Sequence, residues 1–154
     1  MQIHLISVGN RMPAWVQQGY NEYAKRMPRE CELILKEIQP DKRRSGDIAR
    51  IAQDEGERMI AALPARAYIV ALDIYGKLKS TADVSQTLQR WLGNGQPLAL
   101  MVGGPEGLSR QVKEIADESW SLSPLTFPHP LVRVIVAEQI YRAWSLLHNH
   151  PYHR

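Results

Sequence analysis

The chain has 154 residues and a formal net charge of +3, with 44% hydrophobic and 23% charged residues. That length can bury a sizeable core, the composition excludes disordered and fibrous classes, and no apolar run approaches the ~20 residues of a membrane-spanning helix. The mild basic excess admits an anionic partner such as nucleic acid without requiring one.

Ile3 to Val8 is a β-rich apolar run closed by Gly9 and reads as a strand. Pro13 suits the first position of a helix, and Trp15, Val16, Tyr20 and Tyr23 recur at helical spacing to about Met27. Glu32 to Ile38 reads as a second strand, and 40–46 is a polar, basic loop containing Lys42, Arg43 and Arg44. Ile48, Ile51, Ala52, Glu55 and Met59 predict an amphipathic helix from Asp47 to about Leu63. Ala67 to Leu72 is nearly all apolar, as a strand buried in a parallel sheet is.

Ser80 and Asp83 form a capping box for a helix carrying Val84, Leu88, Trp91 and Leu92 and closed by Gly93. Leu98 to Val102 is a further buried strand, ending in the tight loop Gly103–Gly107. Ser109 caps a short helix to about Ala116, Ser119 to Leu122 is a short strand, and Pro130 opens a long helix to about His148. Strand and helix thus alternate about five times, which predicts a single α/β domain over 1–154, a mainly parallel sheet with helices on both faces. The opening residues 1–5 lack a signal peptide's leader, and the lone cysteine, Cys31, reads as structural; both point to a reducing cytosol and a cytoplasmic location.

Loops at the carboxyl ends of parallel strands bind ligands in such folds. Three qualify here, after Leu72-Asp73, at Gly103–Gly107 and at Leu122–Thr126. The glycine loop reads either as a clasp for an adenosine or as a tight strand-to-helix turn; it matches neither the dinucleotide nor the Walker pattern. The segment from Ser121 to Pro130 contains Pro124, Pro128 and Pro130, which stiffen it enough to hold a flat base, or it covers the core as a connector. The last helix is apolar around most of its circumference, so one side faces the sheet and another suits a second copy of the chain. Glu138 and Arg142 are spaced to pair.

His129, His148, His150 and His153 gather near the end. A metal needs three or four converging ligands, and a proline-broken tail without cysteine does not promise them, so no metal is expected. The histidines read either as surface scatter or as part of an RNA-facing tail in which Tyr152 stacks on a base and His153 and Arg154 reach phosphate or base edges. Lys42, Arg43 and Arg44 are either phosphate contacts or a solvated loop.

Taken together, Gly103–Gly107, Ser119–Ser123, 127–134 (FPHPLVRV) and 149–154 (NHPYHR), with Val8-Gly9 and Met12–Val16 at the start, resemble the RlmH family of small SPOUT methyltransferases along the whole chain. The resemblance implies an α/β trefoil knot, a rare exception to the unknotted rule. It implies S-adenosylmethionine bound by Leu72, Gly103, Leu122, Ser123, Pro124, Leu125, Thr126 and Phe127. It implies a homodimer whose active site is completed by the partner's C-terminal tail. The implied substrate is the N3 atom of a pseudouridine in a large-subunit ribosomal RNA stem-loop near the decoding site, within the assembled ribosome. Methylation there requires removal of the imide proton. His129, Tyr152, His153 and Arg154 are the catalytic candidates, with Arg133 and Arg142 as further RNA contacts. The competing readings are a non-catalytic RNA-binding module, which would ignore S-adenosylmethionine, and a metal-dependent hydrolase.

Overall fold

The computed structural model describes residues 1–42 and 46–153. In chain order the elements are β1 (Gln2–Val8), α1 (Ala14–Ala24), β2 (Glu32–Ile38), α2 (Ile48–Ala61), β3 (Tyr68–Leu78), α3 (Thr81–Asn94), β4 (Leu98–Val102), α4 (Arg110–Ile115), β5 (Glu118–Ser121) and α5 (His129–Leu147). The strands form one sheet in the order β2-β1-β4-β3-β5, and every pairing is parallel.

Because successive strand side chains point to opposite faces, β1 feeds two cores. Ile3 and Leu5 pack with Tyr20 of α1, Leu88 of α3 and Ala137 of α5. Ile6 and Val8 pack with Met59 of α2 and Val112 of α4. The result is a parallel sheet between two helical layers, the architecture expected from the sequence. β4 is central and buried along its whole length, which is why its five residues carry no alternation. Trp91 of α3 stacks on Trp120 of β5 with ring centroids 5.6 Å apart and closes the sheet's far edge. Cys31 is buried, and burial pushes its thiol up to about 11, so it is a core residue and not a nucleophile.

Several element ends differ from the sequence reading, and four of the differences bear on the site or its frame. β3 does not stop at Leu72: after a register break between Leu72 and Lys77 it pairs again with Trp120 and Ser121 of β5. This extension lies at the sheet edge in contact with water, so it lacks the apolar run that marks a buried strand. α3 continues past Gly93 to Asn94, and Gly95, at φ +69°, is the left-handed residue that ends it. α5 begins at His129, with Pro128 as its cap and Pro130 inside the first turn. β5 begins at Glu118, which accepts hydrogen bonds from the Tyr68 hydroxyl and from Trp120 Nε1.

Topology positions the site. From β1 the chain moves outward to β2, and from β4 it moves the other way, past β3, to β5. The carboxyl ends of β1 and β4 therefore flank a topological switch point, where loops diverge and open a crevice.

Candidate active site

Two cavities open at that crevice. The larger, about 850 Å³, lies over the carboxyl ends of β3, β4 and β5 and is walled by Leu72, Gly103, Leu122, Ser123, Thr126 and Phe127, among others. The smaller, about 610 Å³, lies over β1 and β2 and includes Asn10, Arg11, Gln39 and Lys42 in its wall. Pro105 and His129 belong to both walls.

The loop after β4 is shaped by backbone contact. A Cβ on Gly103 would sit 2.6 Å from the carbonyl carbon of Gly107 and 2.9 Å from Leu108 N, so only glycine permits this turn. Gly107 N donates to Gly104 O at 2.9 Å, and Gly107 has φ +76°. The reading of this segment as a tight strand-to-helix turn holds, and the turn also walls the larger cavity.

The loop after β5 is held by its own side chains. Ser121 Oγ donates to Ser123 O at 3.1 Å, and Leu125 N donates to Ser123 Oγ at 3.0 Å. The N–H groups of Thr126 and Phe127, both in the cavity wall, make no hydrogen bond among the described residues. Leu72, Gly103, Leu122, Ser123, Leu125, Thr126 and Phe127 are thus brought together, whereas Pro124 stands outside the wall and is exposed. The sequence marks a candidate loop after Leu72-Asp73 but not the register break by which β3 continues beyond it. Asp73, Ile74 and Tyr75 line the same cavity, with Tyr75 86% exposed, and Lys113 reaches Asp73 at 3.4 Å. The one available signal was Gly76, whose absent Cβ lets β3 approach the Ser119 and Trp120 backbone; a Cβ would lie 2.6 Å from Ser119 C.

His129 stands at the start of α5 with its ring against Gly9. Burial, then the neighbouring Arg133 cation, hold its imidazole below the ordinary histidine value. Arg133 is only 2% exposed and is bonded inward, to Glu37 at 2.8 Å, Gly9 O at 3.1 Å and Ser7 Oγ at 3.3 Å. The expectation that Arg133 contacts RNA is therefore wrong: a guanidinium buried under α5 cannot reach a ligand at the surface. Glu138 and Arg142 pair as their spacing requires, at 2.6 Å.

The tail folds back on its own helix. Tyr152 donates its hydroxyl to Glu138 Oε1 at 3.3 Å and packs its ring 4.7 Å from that of Tyr141, in the turn Pro151–His153. Burial, then Tyr23 and Glu138, raise the Tyr152 phenol to about 12, so it stays protonated and cannot act as a base near neutrality. His153 lies in the same turn. Neither residue touches the cavities of its own chain. Glu138 lies nine residues from His129, about 2.5 helical turns and roughly 13 Å along the axis, so the two occupy opposite faces of α5. Arg154, Arg43 and Arg44 lie outside the described residues. His148 stacks on Trp144 and His150 Nδ1 accepts from Tyr152 N, and among the described residues no three His, Cys, Asp or Glu side chains converge as metal ligands would.

A parallel sheet with a glycine turn and a stiff, proline-bearing loop converging on one cleft is the arrangement of an α/β domain that binds a ligand at its switch point. Residues 1–153 match the family model described as "Predicted SPOUT methyltransferase", and the chain belongs to that family. It is 61% identical to the ribosomal RNA large subunit methyltransferase H of Methylococcus capsulatus, with all of both chains covered. The enzymes of the same name from Thioalkalivibrio sulfidiphilus and Hahella chejuensis are 61% and 52% identical, each covering the whole of this chain and 99% of the relative.

Proposed function

We propose that this protein is a cytoplasmic methyltransferase that uses S-adenosylmethionine to methylate N3 of a pseudouridine in large-subunit ribosomal RNA, acting as a homodimer on the assembled ribosome. The observation that carries the reading is the shared wall. His129 separates a cleft suited to the cofactor from a second cavity suited to an acceptor.

The larger cleft fits the cofactor by its chemistry. Leu72, Leu122 and Phe127 offer apolar walls to an adenine, and the unpaired N–H groups of Thr126 and Phe127 offer donors to its edge. Gly103 keeps the turn close, and a threaded, knotted loop is part of the same reading. S-adenosylmethionine supplies an electrophilic methyl group. The chain's own residues align the acceptor and take its proton. His129 is neutral near pH 7, stands between the two cavities, and is the base we assign.

The position of the tail supports a second copy. Tyr152 and His153 lie on the face of α5 away from their own cleft, so they act in a partner's site, where Tyr152 holds the base and His153 and Arg154 steady the RNA. Ile74, Tyr75 and Leu125, all exposed, rim the cleft and offer that partner an apolar surface.

Calorimetric titration with S-adenosylmethionine, recording sites per chain, and methylation of purified ribosomes lacking the modification test the reading. Deleting residues 152–154 should abolish methylation and spare cofactor binding. A mixed dimer of that truncation with Thr126→Trp, which fills the cleft, should recover activity in one of its two sites. Activity in the truncated homodimer, or no recovery in the mixed one, would overturn the composite site.

A further inference from the structure

The smaller cavity adjoins the cleft assigned to the cofactor and shares Pro105 and His129 with it. Its floor is the end of β1, where Gly9 N donates to Ile38 O at 2.8 Å and Gly9 O accepts from the buried Arg133 at 3.1 Å. Gly9 has φ +120°, and a Cβ there would overlap Met12 Cε. The loop that carries Asn10 and Arg11 is therefore pinned from below and turns on a glycine.

The lining has a definite chemistry. Asn10 and Gln39 contribute side-chain amides, each both donor and acceptor. Arg11 and Lys42 contribute cations. None of these four side chains has a hydrogen bond or ion pair among the described residues. The one acid in the wall, Asp41, is 3.9 Å from the Arg58 guanidinium, so it does not cancel both cations. Met12, Pro40 and Pro105 supply apolar surface. A volume of about 610 Å³ is in the range of small-ligand sites.

Resting on the methyltransferase reading, we infer that this cavity receives the target nucleotide, swung out of its helix, with the two carbonyl groups that flank N3 against Asn10 and Gln39 and its phosphates against Arg11 and Lys42. Amide N–H groups match the two carbonyl acceptors of a uracil-type base and leave N3 between them free to face His129, and enzymes that modify a base must first take it out of the stack. The His129 wall then puts N3 of the base beside the cofactor cleft. A purine would present a different edge, so these two amides also set base specificity.

Titration of the wild-type protein with pseudouridine 5′-monophosphate, followed by amide NMR shifts, reads the site without catalysis. Resonances of 9–12 and 39–42 should move, and those of 122–127 should not. Inorganic phosphate reproducing the whole pattern would overturn recognition of the base. On ribosomes, Arg11→Ala/Lys42→Ala should raise KM at least tenfold, leave kcat within about twofold, and flatten the dependence on salt. Asn10→Ala/Gln39→Ala should lower kcat at least tenfold. Cofactor affinity and dimer dissociation should be unchanged in both. A matching loss of cofactor affinity would make the cavity part of the cofactor site, and weakened dimers would make it the seat of the partner's tail; either overturns the inference, as does unaltered methylation. If the wild type binds cofactor but never methylates ribosomes, the functional reading fails instead, while the NMR titration still decides whether the cavity takes a pyrimidine nucleotide.

Discussion

Arg133 Nη2 donates to the backbone oxygen of Gly9 at 3.1 Å, joining groups 124 positions apart in the chain. That bond ties the second turn of α5 to the end of β1, and so fixes both sides of the wall between the cavities. The same guanidinium pairs with Glu37 at 2.8 Å while its Nε, also buried, has no partner. It is a brace whose full donor set is not used.

Replacing the brace should cost stability. Arg133→Met leaves Gly9 O, Ser7 and the Glu37 carboxylate without their partner. Breaking a fully buried pair costs about 3–5 kcal/mol; Glu37 is 38% exposed and recovers water, so about 2–3 kcal/mol is expected here. Arg133→Lys keeps the charge but loses the fork and should recover less than half of that. Urea unfolding of the three proteins measures both.

Gly76→Ala should damage the cofactor cleft from behind. The new Cβ would meet the backbone of Ser119 and Trp120 at 2.6 to 2.7 Å, and backbone in a paired strand cannot swing aside. Overpacking of this kind costs about 1–3 kcal/mol. Because Asp73, Ile74 and Tyr75 lie in the same excursion of β3, the affinity for S-adenosylmethionine should fall at least tenfold, read by calorimetry. Normal affinity in the folded variant would show that the excursion does not shape the cleft.

Two other glycines should respond with opposite signs. Gly93 lies in α3 with open space where its Cβ would go, so Gly93→Ala should raise stability by about 0.5–1 kcal/mol through helix propensity. Gly9→Ala should lower it by about 1–3 kcal/mol, since φ +120° is strained for any L side chain. Thermal unfolding distinguishes them directly.

Histidine burial gives a defined pH dependence. His129 is held below its ordinary value of 6.5 by burial and then by Arg133. His4 is lowered as well, by burial and then by Lys36. For a group with a lowered folded-state pKa, the unfolded chain binds the proton first as pH falls. Stability is therefore undiminished above 6.5, declines as pH drops below it, and levels off under the folded-state values. His129→Gln should remove part of this slope between pH 6.5 and 5, and His4→Gln the rest. In the same series, the acid limb of kcat/KM should lie below pH 6.5 and disappear with His129→Gln. An acid limb that survives in that variant would assign the base elsewhere.

The alternation of apolar runs with helical spacings was sufficient to define the strands and helices, because burial on two faces writes itself into β1 and β4, and capping writes itself into Ser80 and Asp83. The glycine turn and the proline-bearing loop, which wall the larger cavity, were legible as special loops for the same local reason: both need particular residue types in a short stretch. The pairing of Glu138 with Arg142 was legible too, since helical spacing alone sets it.

Other features depended on contacts between distant parts of the chain. Arg133 looks like any surface cation in a basic protein, and only the crossing of α5 over the ends of β1 and β2 buries it. The excursion Asp73–Gly76 was legible only as a loop after Leu72-Asp73, and its place in the cleft comes from renewed pairing with β5. The tail's separation from its own cleft follows from the length and phase of α5, a relation between two ends of one helix that neither end's residues reveal. Local sequence specified which segments fold into which elements; the order of strands in the sheet decided which loops meet, because a crevice exists only where the topology reverses.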